Sequence, residues 1–179
     1  VHHLSVGSIV MATGFAPFNP AGSRYEAWAA SPGVITTVDL ERLLAPEGPA
    51  RGNLTLPAAP GGIRDVAFLL CVGSREEEGN RCCSRVCCPT ALKQALELKE
   101  RYPEARIRMY YRDIRTTKKD WEALYTKARE AGVLFLRGRV AEVAASPDGG
   151  LIIRAFDETF QVPTQDRVDL AVLAVGMVP

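Results

Sequence analysis

The stretch Val66-Ala-Phe-Leu-Leu-Cys71-Val-Gly73-Ser-Arg-Glu-Glu-Glu-Gly-Asn-Arg-Cys82-Cys83-Ser-Arg-Val-Cys87-Cys88 passes from a continuous apolar run into a charged loop that ends in cysteines. An uninterrupted run such as Val66–Leu70 marks a strand buried on both faces. Residues Pro89–Tyr102 then place Leu92, Ala95, Leu96 and Leu98 at helical spacing, and Pro103 stops the helix. Strand, loop and helix in this order open a βαβ unit.

The pattern continues outward. Arg106–Tyr111 reads as a strand. Lys119–Ala131 reads as a helix with Trp121, Leu124, Tyr125 and Ala128 on one face and Gly132 at its end. Val133–Leu136 is a third strand. Arg139–Ala145, Leu151–Phe156 and Thr159–Val162 form a small antiparallel meander turned at Pro147-Asp-Gly-Gly150, and Val168–Val175 is a closing buried strand. The predicted fold is therefore α/β: a Rossmann-like, NAD(P)-binding-type domain with a parallel sheet, helices and a meander. Upstream, Ser8–Thr13 is an apolar strand, residues 16–33 are loop, and Val34–Leu44 begins extended and becomes a helix capped by Thr37 or Asp39. Proline and glycine crowd residues 45–62, which mark the boundary between a first segment, 1–62, and the domain at 63–179.

Composition narrows the function. A net charge of +1 gives no case for nucleic acid or an anionic membrane. No apolar run approaches the ~20 residues of a membrane span, and the apolar start lacks the basic region and cleavage site of a signal peptide. Five cysteines in 179 residues are too few for a disulfide scaffold, and a reducing cytoplasm suits them better. With no initiator Met and a strand-like run reaching Pro179, the chain reads as a piece of a longer polypeptide.

All five cysteines, Cys71, Cys82, Cys83, Cys87 and Cys88, fall in the loop after the first domain strand. A dinucleotide-binding unit would place G-x-G-x-x-G there, so that backbone could approach pyrophosphate at the helix N-terminus. This chain has Gly73 followed by Glu76, Glu77 and Glu78, whose charge opposes a phosphate. A plain NAD(P) module is weakened accordingly. Clustered thiols point instead to iron–sulfur, zinc or redox chemistry. If Ser84–Cys88 forms a first helical turn, Cys83 and Cys87 share a face, with Cys88 about 100° round and Cys71 arriving from the strand end. A cubane cluster presents separate iron corners and tolerates such divergence. Zinc needs four sulfurs within about 2.3 Å of one centre, which adjacent Cys87 and Cys88 reach only with distortion. Cys82 is read as a spacer.

The motif Cys71-x11-Cys83-Ser-Arg-Val-Cys87-Cys88, preceded by Phe-Leu-Leu and followed by Ala-Leu-Lys-Gln-Ala, resembles the A subunit of heterodisulfide reductase. Gly7–Phe15, Tyr111–Arg115, Gly132–Gly138 and Leu170–Pro179 match the same family, so the resemblance runs over essentially the whole chain. It implies a thioredoxin-reductase-like flavoprotein that carries FAD and [4Fe–4S] clusters and passes electrons to partner subunits of a heterodisulfide-reductase-like complex. On this resemblance, Cys71, Cys83, Cys87 and Cys88 ligate one [4Fe–4S] cluster. Thr13 and Gly14 match a strand-end turn near FAD, and Gly176 and Met177 match a second. Residues 1–62 become a partial remnant of the FAD domain plus linker. The first G-x-G-x-x-G of the parent is missing, so tight FAD binding by this chain alone is not expected. The alternative is a zinc-stabilised, Rossmann-like interaction domain without redox function. A homodimer is left open, and nucleic-acid partners and membrane insertion are not expected.

Overall fold

The computed structural model describes residues 3–54, 62–77 and 79–178. In chain order the elements are β1 (Ala16–Pro17), α1 (Glu26–Ala29), β2 (Val34–Thr36), α2 (Thr37–Leu44), β3 (Asp65–Val72), α3 (Cys87–Arg101), β4 (Arg106–Tyr111), α4 (Trp121–Glu130), β5 (Leu134–Ala145), β6 (Leu151–Asp157), β7 (Val162–Val168), β8 (Leu170–Val175) and β9 (Met177–Val178). A seven-stranded sheet has the order β2-β8-β3-β4-β5-β6-β7. Its first five strands are parallel neighbours, and β6 and β7 add antiparallel. This is the α/β architecture expected.

Alternation along the central strands explains their uniform apolarity. Val66, Phe68, Leu170, Val172 and Ala174 face one core, with Leu92, Ala95 and Leu98 of α3 and Leu40 and Leu44 of α2. Ala67, Leu69, Ala171, Leu173 and Val175 face a second core on the other side. Successive strand residues point to opposite faces, so a strand covered on both sides has no polar position. The second face is closed by Val143, Leu151 and Ile153 of the meander and by Tyr25 and Trp28. Full burial of a side chain such as Phe68 is worth about 1.5–3 kcal/mol.

Several local expectations are corrected. Residues 8–13 are exposed and form no strand: they find no ladder partner among the described residues, and apolarity without a partner does not make a strand. Residues 16–33 contain one short helix, α1, because Phe18, Tyr25 and Trp28 stack edge to face and need a surface to cover. The N-cap of α2 is Thr36, not Thr37 or Asp39 as expected. Its hydroxyl accepts from Asp39 N while the Asp39 carboxylate accepts from Thr36 N, a reciprocal capping box. Through β2, α2 and the Gln94 amide, which donates to Thr37 O at 2.8 Å and Glu41 Oε2 at 2.9 Å, residues 34–44 are built into the same sheet and core as the later strands.

The segments 133–136 and 139–145 are one strand. β5 pairs with β4 through Leu134–Arg137 and with β6 through Gly138–Ala145, with a register shift between Val140 and Glu142. The last meander strand is Val162–Val168, not 159–162. It is polar, contains Pro163 and pairs only with β6, as suits an edge strand.

Candidate functional site

The site is built where β3 ends. Opposite β8 the register of β3 shifts between Leu69 and Val72, and Val72 rejoins the ladder against Val175. Cys71 sits in that irregularity with φ of 66°. Left-handed backbone costs an L-residue about 1–2 kcal/mol. Arg75 and Arg85 share this conformation, so three residues of the loop are held in it by their surroundings. Gly73 follows with φ of 69°, and a Cβ there would overlap the ring of Phe18. Phe18 thus covers the lone glycine left at the place of the phosphate loop.

Helix α3 begins at Cys87, two residues earlier than expected, and Ser84–Val86 lie outside it. The reason is visible at Ser84. Its hydroxyl is paired with Ser74 Oγ at 2.7 Å and accepts from Met177 N at 3.0 Å, so it is engaged away from the helix. Cys87 and Cys88 therefore form the first turn, while Cys83 stays in the loop with its Sγ accepting from Arg85 N at 3.3 Å. Cys88 Sγ accepts from Arg115 N at 3.5 Å.

Cys71, Cys87 and Cys88 are buried, Cys83 is half-buried and Cys82 is exposed. Burial pushes the Cys87 thiol up to about 12, with repulsion from Cys71, Cys88 and Cys83 adding to it. Burial raises Cys88 to about 11, against the pull of the Arg115 N–H. Cys71 is raised by burial and drawn back by Arg75 and Arg112. Cys82 is not among the groups acting most strongly on these three. Among the described residues no group of three or more His, Cys, Asp or Glu side chains stands close enough to chelate one metal ion. The donor set is nevertheless all thiol and largely dry, with N–H groups directed at Cys83 and Cys88. Such surroundings fit a soft metal–sulfur centre with separate corners.

Arginines balance the site. Arg75 forms an ion pair with Asp113 at the end of β4, and Arg115 Nη2 meets the same carboxylate at 3.2 Å. Burial pushes Asp113 up, but hydrogen bonds from Arg115 and Arg75 outweigh it and hold the group below the usual carboxylate range. In a dinucleotide domain an acid here takes a ribose hydroxyl; here it is occupied by guanidinium groups. Glu76 is engaged by the protein rather than left to solvent. It accepts a hydrogen bond from the Tyr25 hydroxyl, whose pKa is raised by burial and then by Glu76. Glu78 lies outside the described residues.

Thr13 and Gly14 are exposed. The segment they lead into pairs β1 with β9, Ala16 opposite Val178 and Pro17 opposite Met177, so both predicted flavin-side turns arrive at one place. Phe18 N donates to Gly176 O at 2.8 Å and Gly176 N to Val72 O at 2.9 Å, joining that place to the end of β3. An open groove of about 670 Å³ beside it is lined by Phe15, Val38, Val86, Trp121 and Met177. Sequence reasoning missed Phe18, Ser74 and Ser84. Only the nearness of the serines to cysteines could have flagged them.

No family model matches the chain. Its sequence is 39% identical over 175 residues to the A subunit of the ferredoxin/F(420)H(2)-dependent CoB-CoM heterodisulfide reductase of Methanosarcina acetivorans, covering 97% of this chain and 22% of that protein. It is 38% identical over 178 residues to the A subunit of the H(2):CoB-CoM heterodisulfide,ferredoxin reductase of Methanothermobacter marburgensis, covering 98% and 27%. A protein of Archaeoglobus profundus, named for its likeness to the heterodisulfide reductase A subunit, is 34% identical, with 98% and 28% covered. Among solved structures, L-lysine 6-monooxygenase from Pseudomonas syringae aligns with a TM-score of 0.57 at 16% identity over 94% of this chain and 45% of its own. T. acidophilum thioredoxin reductase aligns with a TM-score of 0.53 at 10% identity over 93% and 43%. The fold is thus that of the Rossmann-type flavoproteins. Over nearly its whole length the chain is homologous to heterodisulfide reductase A subunits, and it spans 22–27% of the length of the first two of these relatives.

Proposed function

We propose that this segment carries the ligands of one [4Fe–4S] cluster in an iron–sulfur flavoprotein component of a heterodisulfide-reductase-type oxidoreductase, and that the ligands are Cys71, Cys83, Cys87 and Cys88. The observation that supports this is the placement of Cys71 at the end of β3 and of Cys87 and Cys88 in the first turn of α3, all three buried, with Cys83 half-buried in the loop between them while Cys82 is turned to solvent. Once bound, a cluster of this kind takes up and releases single electrons. The chain's own contribution is to hold four thiolates, keep water from three of them, and offset their charge with Arg75 and Arg115.

The same reading puts FAD in the full-length parent beside Thr13, Gly14, Gly176 and Met177. Residues 63–179 serve as the Rossmann-like domain and residues 1–62 as flavin-domain remnant and linker, with 34–44 built into the later sheet. The relatives are named as A subunits, so the partners proposed are other subunits of such a complex, in the cytoplasm. A homodimer is compatible with this. No helix among the described residues is long and apolar enough to cross a membrane.

Metal analysis of anaerobically purified protein tests the proposal. Iron and acid-labile sulfide at about four each per chain are expected for one cubane on four cysteines. Stoichiometric zinc without sulfide would replace it with the zinc-stabilised interaction domain.

A further inference from the structure

Gly176 has no conformational need to be glycine. Its φ is not among the positive values, whereas Gly73 and Gly14 have φ of 69° and 77°. What excludes a side chain is a pair of hydroxyls. A Cβ on Gly176 would overlap Ser74 Oγ and lie 2.6 Å from Ser84 Oγ. Both serines are buried, at 1% and 8% exposure, and their oxygens are 2.7 Å apart. Ser84 Oγ also accepts the Met177 N–H at 3.0 Å. Gly176 N donates to Val72 O, and Gly176 O accepts from Phe18 N. One small, dry cluster of hydrogen bonds therefore ties together the end of β3, the residue after Cys83, the turn after β8 and the segment leading from Gly14.

We propose that Ser84, held by Ser74 and by the Met177 amide against the bare face of Gly176, is a positioning residue that fixes Cys83 relative to the Gly176–Met177 turn, so that cluster loop and flavin-side turn form one mechanical unit. This rests on the reading of Cys83 as a cluster ligand. Cys83 needs such an anchor more than the other three. Cys87 and Cys88 are fixed by α3, and Cys71 by the sheet, whereas Cys83 lies in irregular backbone and is half-exposed. Buried hydroxyls that satisfy one another are costly to disturb singly, because the partner left behind is unpaired in a dry site.

The test compares Gly176→Ala in two backgrounds of the full chain, wild type and Ser74→Ala/Ser84→Ala, purified anaerobically. Three quantities are read: iron and sulfide content, the EPR signal of the reduced cluster, and hydrogen exchange at the Met177 amide. In the wild-type background Gly176→Ala should lower iron content at least fivefold. In the serine-free background the same alanine should change it less than twofold, because the atoms it struck are gone. Ser84→Ala alone should alter the EPR signal and speed exchange of the Met177 amide at least tenfold, while Ser84→Thr, which keeps the hydroxyl, should restore much of the protection. Equal losses of iron in both backgrounds would overturn the proposal. If wild-type protein holds no iron and sulfide, the cluster reading fails. The exchange measurement then still decides the anchor, since unchanged protection in Ser84→Ala removes it.

Discussion

The ring of Phe18 lies directly over Gly73, in the space where the side chain of any other residue at 73 would begin. In a nucleotide-binding Rossmann domain that space receives pyrophosphate. Here an aromatic ring fills it, Glu76 lies beyond it, and the acid at the end of β4 is taken by Arg75 and Arg115.

The chain is therefore expected not to bind NADH or NADPH usefully. A micromolar Kd requires about −8 kcal/mol, and a site without its phosphate cradle has no source for it. Isothermal titration up to about millimolar cofactor should show no saturation, and a micromolar constant would sink the expectation. Gly73→Ala should cost about 1–3 kcal/mol in unfolding free energy from overpacking alone, because the Phe18 ring cannot withdraw without leaving Tyr25.

Serine replacements should separate ligands from spacer. Cys71→Ser, Cys83→Ser, Cys87→Ser and Cys88→Ser should each lose most of the iron, since a hard hydroxyl is a poor substitute for a soft thiolate. Cys82→Ser should keep it nearly unchanged. Retention in Cys83→Ser together with loss in Cys82→Ser would show the assignment to be off by one residue.

Asp65, at the start of β3, is hydrogen-bonded by Arg106 at 2.5 Å and Arg108 at 2.9 Å. Burial raises its pKa, but the two guanidinium groups outweigh this and the group lies below its usual value. A depressed folded pKa means stability that is present above the unfolded value of about 3.9 and lost as pH falls through the folded one. Arg106 is largely exposed and contributes little, so Arg108 carries most of the effect. Asp65→Asn should destabilise by about 1–3 kcal/mol at neutral pH. Denaturant titrations should show the gap between wild type and variant closing below about pH 4; a gap independent of pH would rule out this origin.

Thr36→Ala removes the acceptor of the α2 capping box. The expected loss is about 1 kcal/mol, seen as a lower thermal midpoint. Thr36→Ser should retain most of the stability.

The parts of the fold that are legible in the sequence are those where one physical demand dominates. Strands covered on both faces can only be apolar, so β3 and β8 stand out, and α3 shows its buried stripe. The strand β7 is illegible because an edge strand with a solvated face tolerates Pro163 and charge. β5 reads as two strands because Arg137-Gly138-Arg139 resembles a turn, although it marks the change of partner from β4 to β6. Ser8–Thr13 reads as a strand and is not one, because hydrophobicity records what a segment needs and not whether a partner is present. The cysteines announce themselves by spacing. The Ser74–Ser84 pair does not, since ten residues separate two ordinary serines and only the fold brings their oxygens together.

Cys71 holds a conformation that glycine adopts without cost. A selection for heat resistance alone, applied to this chain, should therefore drift towards glycine at 71 and discard a thiol in doing so. Thermal robustness and ligand chemistry pull on this one position in opposite directions, and an engineer seeking a hardier variant should leave it fixed and look to the meander instead.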